Sequence, residues 1–119
     1  MQITQQALEE MKRQKAIEPE EVGEITALLE LAQRLAEQEG VILSFERTLA
    51  MGVHLTAFIR RVRGGTYLPE LEDGMFDEVS EAFAEVSRRV LESYELPEDR
   101  ELDDAEVFYL TVHFEAAKA

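Results

Sequence analysis

Apolar side chains recur at three- and four-residue spacing through most of this chain, and no segment alternates convincingly with the two-residue period of a strand. Short proline and glycine punctuation separates five helical stretches. The first, from Thr4 to Ala16, carries only Ala7, Leu8 and Met11 as a thin stripe, so loose docking or fraying is expected of it. Glu18-Pro19-Glu20-Glu21 opens the second, with proline in the first turn and carboxylates where the helix dipole favours them. Ile25, Leu28, Leu29, Ala32, Leu35 and Ala36 form its apolar face, and Gly40 is suited to follow its last turn.

Ser44 can cap a third helix, running from Phe45 to Val62. Its apolar residues (Leu49, Met51, Val53, Leu55, Phe58, Ile59 and Val62) cover most of the circumference, which predicts a central place in a bundle. Arg63-Gly64-Gly65 stops it. A fourth helix is predicted from Gly74 to Tyr94, with Phe76, Val79, Phe83, Val86 and Val90 in strict register, and Leu96-Pro97 breaks it. Asp103 and Glu106 read as an acidic capping box opening a fifth helix, from Asp104 to Ala117. The expected fold is all-α, a compact five-helix bundle. Residues 1–20 read as an N-terminal helical extension and residues 21–119 as the bundle domain.

Composition narrows the function classes. The 119 residues suffice for one domain with a genuine core, and 45% hydrophobic against 32% charged residues is a globular balance. The absence of cysteine excludes disulfides, thiolate metal sites and a cysteine nucleophile. A formal charge of −14 repels nucleic-acid phosphates, so no direct nucleic-acid contact is expected. No apolar run resembles a signal peptide or a membrane span, and the expectation is a soluble cytoplasmic protein without membrane contact.

The sequence holds no glycine-rich phosphate loop, no paired metal-ligand motif and no marked nucleophile, so nothing argues for an enzyme or a cofactor. Its two histidines are more informative. His54 lies in the middle of the third helix and His113 well inside the fifth, each among apolar neighbours. Gly52, costly in a helix interior by about 1 kcal/mol relative to Ala, implies close approach by another helix or access to the nearby histidine. Arg61 follows His54 by two turns and shares its face, and helical side chains lean toward the N-terminus, so Arg61 can reach back to a phosphoryl group on His54. Arg60 and Arg63 add positive charge there. On spacing alone, a histidine on an apolar helix is more often a hydrogen-bonded core residue than a site.

The segments around the two histidines alter that balance. Leu49-Ala50-Met51-Gly52-Val53-His54-Leu55-Thr56-Ala57-Phe58-Ile59-Arg60-Arg61 resembles the first histidine helix of the PTS regulation domain, with its trailing arginine. The segment from Leu102 to Phe114, with His113 between two apolar residues shortly after Tyr109, is similar to that family's closing helix. The spacing of the two histidines, and the positions of Gly64-Gly65 and Leu68-Pro69, also match. The resemblance spans residues 22–116.

It implies a dimerising five-helix bundle whose histidines take phosphoryl groups from a phosphotransferase-system donor protein. By position, His54 and His113 are the implied phosphoacceptors, and Arg61 with Arg60 the implied phosphate-binding residues. The expected protein is a stand-alone homodimeric regulatory module that acts through a partner. Val53 stands where the family usually has an acidic residue, and Leu68 where it has asparagine. These motivate a second reading, a dimeric interaction module that keeps the fold without phosphorylation. A third is a small enzyme or metal-binding bundle using the histidines and nearby carboxylates.

Overall fold

The computed structural model describes residues 2–118. Five helices, α1 (Gln2–Arg13), α2 (Val22–Gln38), α3 (Phe45–Gly64), α4 (Glu81–Glu92) and α5 (Asp104–Lys118), make an all-α bundle with no strand among the described residues. Short 3-10 turns at Pro19–Glu21 and Met75–Glu78 lead into α2 and α4. As the encircling apolar pattern requires, α3 is central and packs against α1, α2 and α5, while α4 lies against α5 and α2. Met51, Leu55, Phe58 and Ile59 of α3 are wholly buried, and Leu29 of α2 and Leu110 and Phe114 of α5 join them in one core.

Helix ends follow local chemistry. Ser44 Oγ accepts the Arg47 amide at 3.2 Å to start α3. Gly40 adopts a left-handed φ of 79°, which lets the Val41 amide return to the Ala36 carbonyl at 2.9 Å and closes α2. Gly65, at φ 70°, ends α3 in the same way, with the Thr66 amide on the Arg61 carbonyl.

Three expectations need correction. First, α1 is not loosely held. Thr4, Ala7, Leu8 and Met11 are all buried. A polar chain fixes its register, Thr4 Oγ1 donating to Gln33 Oε1 at 3.0 Å and Gln33 Nε2 reaching Thr48 Oγ1 at 3.4 Å. Of the two roles open to Gly52, close approach is observed: a Cβ there would meet Met11 Sδ at 2.8 Å and Leu29 Cδ1 at 3.4 Å.

Second, the fourth helix starts later than its apolar spacing predicts. Val79 is extended, and Ser80 caps α4 by accepting the Phe83 amide at 3.1 Å. The Ser80 amide in turn donates to Glu115 Oε1 of α5 at 3.0 Å. A capping hydroxyl and a tertiary acceptor together outcompete continued helix at this point. Phe76 keeps its apolar role outside the helix, edge-on to Phe108 with centroids 5.8 Å apart. Third, the Glu106 side chain does not fold back to cap α5; it is fully buried against Arg61.

Two glycines distinguish packing from propensity. Gly52→Val forces a side chain into the Met11 contact and is expected to cost about 2 kcal/mol or more in urea unfolding. Gly23 of α2 has open space around it, so Gly23→Ala should stabilise by roughly 0.5 kcal/mol through helix propensity and reduced unfolded-state entropy.

Candidate functional site

Helices α3 and α5 meet in antiparallel register, as two pairs of residues demonstrate. Arg61 is joined to Glu106, and seven residues earlier on α3 and seven later on α5 the His54 and His113 rings meet, with centroids 5.3 Å apart and planes at 57°. The sevenfold step keeps each pair on the same face of its helix. Thus the two histidines, far apart in sequence, form one site.

The ion pair below them is bidentate. Arg61 Nε and Nη2 each lie 2.7 Å from a Glu106 carboxylate oxygen. Glu106 is 0% exposed and Arg61 20%, so the carboxylate depends on this guanidinium to remain buried as a charge. Arg60 lies on an adjacent face and holds Glu21, with Nε–Oε2 and Nη2–Oε1 both at 2.8 Å. That guanidinium keeps the Glu21 carboxyl below the usual carboxylate range. Arg63 pairs with Glu24. The arginines trailing His54 are therefore engaged by carboxylates from three different segments, and only Arg61 shares the histidine face.

Both imidazoles are partly buried, and burial is the main force favouring their neutral form. It lowers the His54 pKa to about 4, with smaller contributions from His113 and Arg61. His113 is lowered by burial and then by Arg47. His54 Nε2 is shielded from solvent and no protein group hydrogen-bonds to it. Around the pair, Val53, Tyr109 and Val112 are 45%, 41% and 43% exposed, an apolar rim on an acidic protein. Among the described residues, no group of three or more His, Asp or Glu is placed to hold a metal ion.

Two participants in the site are not evident from the motifs around the histidines. Asp103 precedes Glu106 at the spacing of a capping box, and only the α3–α5 register reveals its partner, Arg61. Arg47 precedes His54 by seven residues just as Arg61 follows it by seven, a symmetry present in the sequence.

Loss of Arg61 leaves Glu106 buried without its counter-charge, so Arg61→Ala should destabilise the protein by about 3 kcal/mol in urea unfolding, and Arg61→Met with Glu106→Leu should recover much of that loss. For His54, the unfolded chain holds its proton up to a pKa near 6.5 and the folded chain only to about 4. The unfolded state therefore binds more protons, so this contribution is complete above neutrality and declines as pH falls. Between pH 7 and pH 5 the wild type should therefore lose about 2 kcal/mol more stability than His54→Gln, in which only the remaining groups, His113 among them, titrate.

Comparison with known proteins bears directly on this paired site. A model of the PRD domain matches residues 29–117 and so takes in both histidines, Arg61 and Glu106. The crystal structure of a PRD-containing transcription regulator from Lactobacillus casei ATCC 334 is similar, with a TM-score of 0.69 and 26% identity. The match covers 82% of this chain and 83% of that one. Among curated proteins, no sequence matches this chain. An all-α bundle that joins two histidine helices, matched by the family model over most of its length, belongs to the PRD family of regulatory modules linked to the sugar phosphotransferase system.

Proposed function

We propose that this PRD module responds to phosphorylation, with His54 and His113 as phosphoacceptors. The observation that carries the reading is the 5.3 Å pairing of two partly buried imidazoles on α3 and α5, with a guanidinium two turns along the same face. A neutral ring offers a lone pair to phosphorus. The P–N bond to a donor's phosphohistidine breaks as the new one forms, and the acceptor ring's proton passes to the departing donor nitrogen.

Arg61 is the direct phosphate partner for His54, reaching toward the N-terminus of α3. Arg60, tied to Glu21, contributes positive charge to the same end of the helix. The donor is a phosphotransferase-system protein, and the module acts as a homodimer through a partner protein. Addition of about 1.5 to 2 negative charges per histidine, by analogy with other phosphorylated side chains, to a face rimmed by Val53, Tyr109 and Val112 changes what that face can bind.

Incubation with phosphoenolpyruvate and the general phosphotransferase components should place acid-labile phosphate on the protein, and a His54→Ala/His113→Ala variant should take none. Failure to label the wild type, or equal labelling of the double variant, overturns the reading. The apolar rim and Val53 itself favour one second reading, a dimeric interaction module without phosphorylation. That reading predicts an unlabelled wild type, with dimer mass and partner binding unchanged in the double variant.

A further inference from the structure

Arg47, His54 and Arg61 form a column on one face of α3, each separated from the next by two turns, or about 10 Å of rise. The two arginines of this column are in opposite states. Arg61 has both arms of its fork filled by Glu106. The backbone amide of Arg47 is taken by Ser44, but its guanidinium has no ion pair or hydrogen bond to a protein group among the described residues.

This is unusual within the molecule. Of the partly or fully buried arginines, Arg61, Arg88 and Arg100 each face a carboxylate, leaving Arg47 as the exception. The chain carries 26 acidic residues against 12 basic ones, so carboxylates are in ample supply. Arg47 also stands in the first turn of α3, where the helix dipole disfavours a cation. A partly desolvated, unpaired guanidinium in an unfavourable dipole is a group that gains from the arrival of an anion.

A phosphorylated His113 would supply one. Antiparallel register sets His113 level with His54, and the column extends past the pair to Arg47 on the side opposite Arg61. The positive charge of Arg47 already acts on the His113 ring. Arg61 and Arg47 therefore stand two turns to either side of the histidine pair, and the charge of Arg61 acts on His54 while that of Arg47 acts on His113.

We propose that Arg47 is the phosphate-binding residue for His113, receiving the phosphoryl dianion carried by that ring. The proposal rests on the reading of the histidines as phosphoacceptors. It gives the two acceptors separate partners: a phosphoryl group on His54 meets an arginine that Glu106 already holds, and one on His113 meets an arginine that is free.

Phosphoramidate tests this without any donor protein. The imidazole forms a P–N bond to the phosphoryl group while the P–N bond of phosphoramidate breaks, and ammonia departs with the ring proton as ammonium. Labelled wild type, Arg47→Ala and Arg47→Lys are compared by peptide mapping under mildly alkaline conditions, together with the lifetime of each phosphohistidine. Arg47→Ala should reduce phosphate at His113 about tenfold and leave His54 unchanged, as loss of one charge-assisted interaction implies. Arg47→Lys should restore part of it, and the unfolding midpoint should not fall, because no carboxylate partner is lost.

Equal labelling of His113 in wild type and Arg47→Ala overturns the proposal while leaving the phosphoacceptor reading intact. Label on His54 alone in the wild type also overturns it. Label on neither histidine in the wild type defeats the phosphoacceptor reading and this inference with it. Inorganic phosphate provides the remaining arm. If it shifts the Arg47 Nε–H resonance of unlabelled protein while His113 labelling is indifferent to Arg47→Ala, the site serves free phosphate and the proposal fails.

Discussion

The bidentate pair between Arg61 and Glu106 is the constraint on which the site depends. A carboxylate at 0% exposure is tolerable only where another group supplies charge and hydrogen bonds, and here one guanidinium provides both. That requirement fixes α5 against α3 to within one residue, since a slip in either helix strands Glu106. With this pair in register, seven residues in opposite directions bring His54 to His113. The clamp thus serves the fold and the site with the same atoms. It also means that Arg61 is not idle: under the phosphoacceptor reading, a phosphoryl group on His54 competes with Glu106 for one fork.

The electrostatic setting suits a neutral pair of rings. Burial is the largest influence at His54 and at His113, and it favours the uncharged form of both rings in spite of the strongly acidic chain around them. Acidic residues engage the surrounding arginines instead, Glu21 with Arg60 and Glu24 with Arg63. The histidine face is left with an apolar border, where added negative charge has a large effect on association. This is the behaviour expected of a regulatory module rather than of a surface selected only for solubility.

Much of this was legible in the amino-acid order. The apolar periods located all five helices, and Ser44, Gly40 and Gly65 marked their ends as the local chemistry demands. The pairing of His54 with His113 was reachable only through likeness to a family, because nothing local to either residue specifies its neighbour on another helix. Where the reading failed, a long-range partner prevailed over a local pattern. Ser80 broke a helix that Phe76, Val79 and Phe83 would have continued, assisted by Glu115 from α5. Glu106 satisfied the spacing of a cap but found Arg61. The stripe on α1 looked thin because only apolar residues were counted, whereas Thr4 is also buried and bonds to Gln33.

The missing Cβ at Gly52 has a mechanical side as well. Met11 sits in the notch it leaves, only two residues from His54 along α3, and Met11 belongs to a segment outside the residues matched by the PRD model. A side chain seated in a notch works as a detent: it permits little rotation or sliding of one helix past the other without lifting out. Displacement of the first histidine helix along its axis is therefore geared to the amino-terminal helix. The unit that moves with His54 is larger than the unit that the family pattern defines.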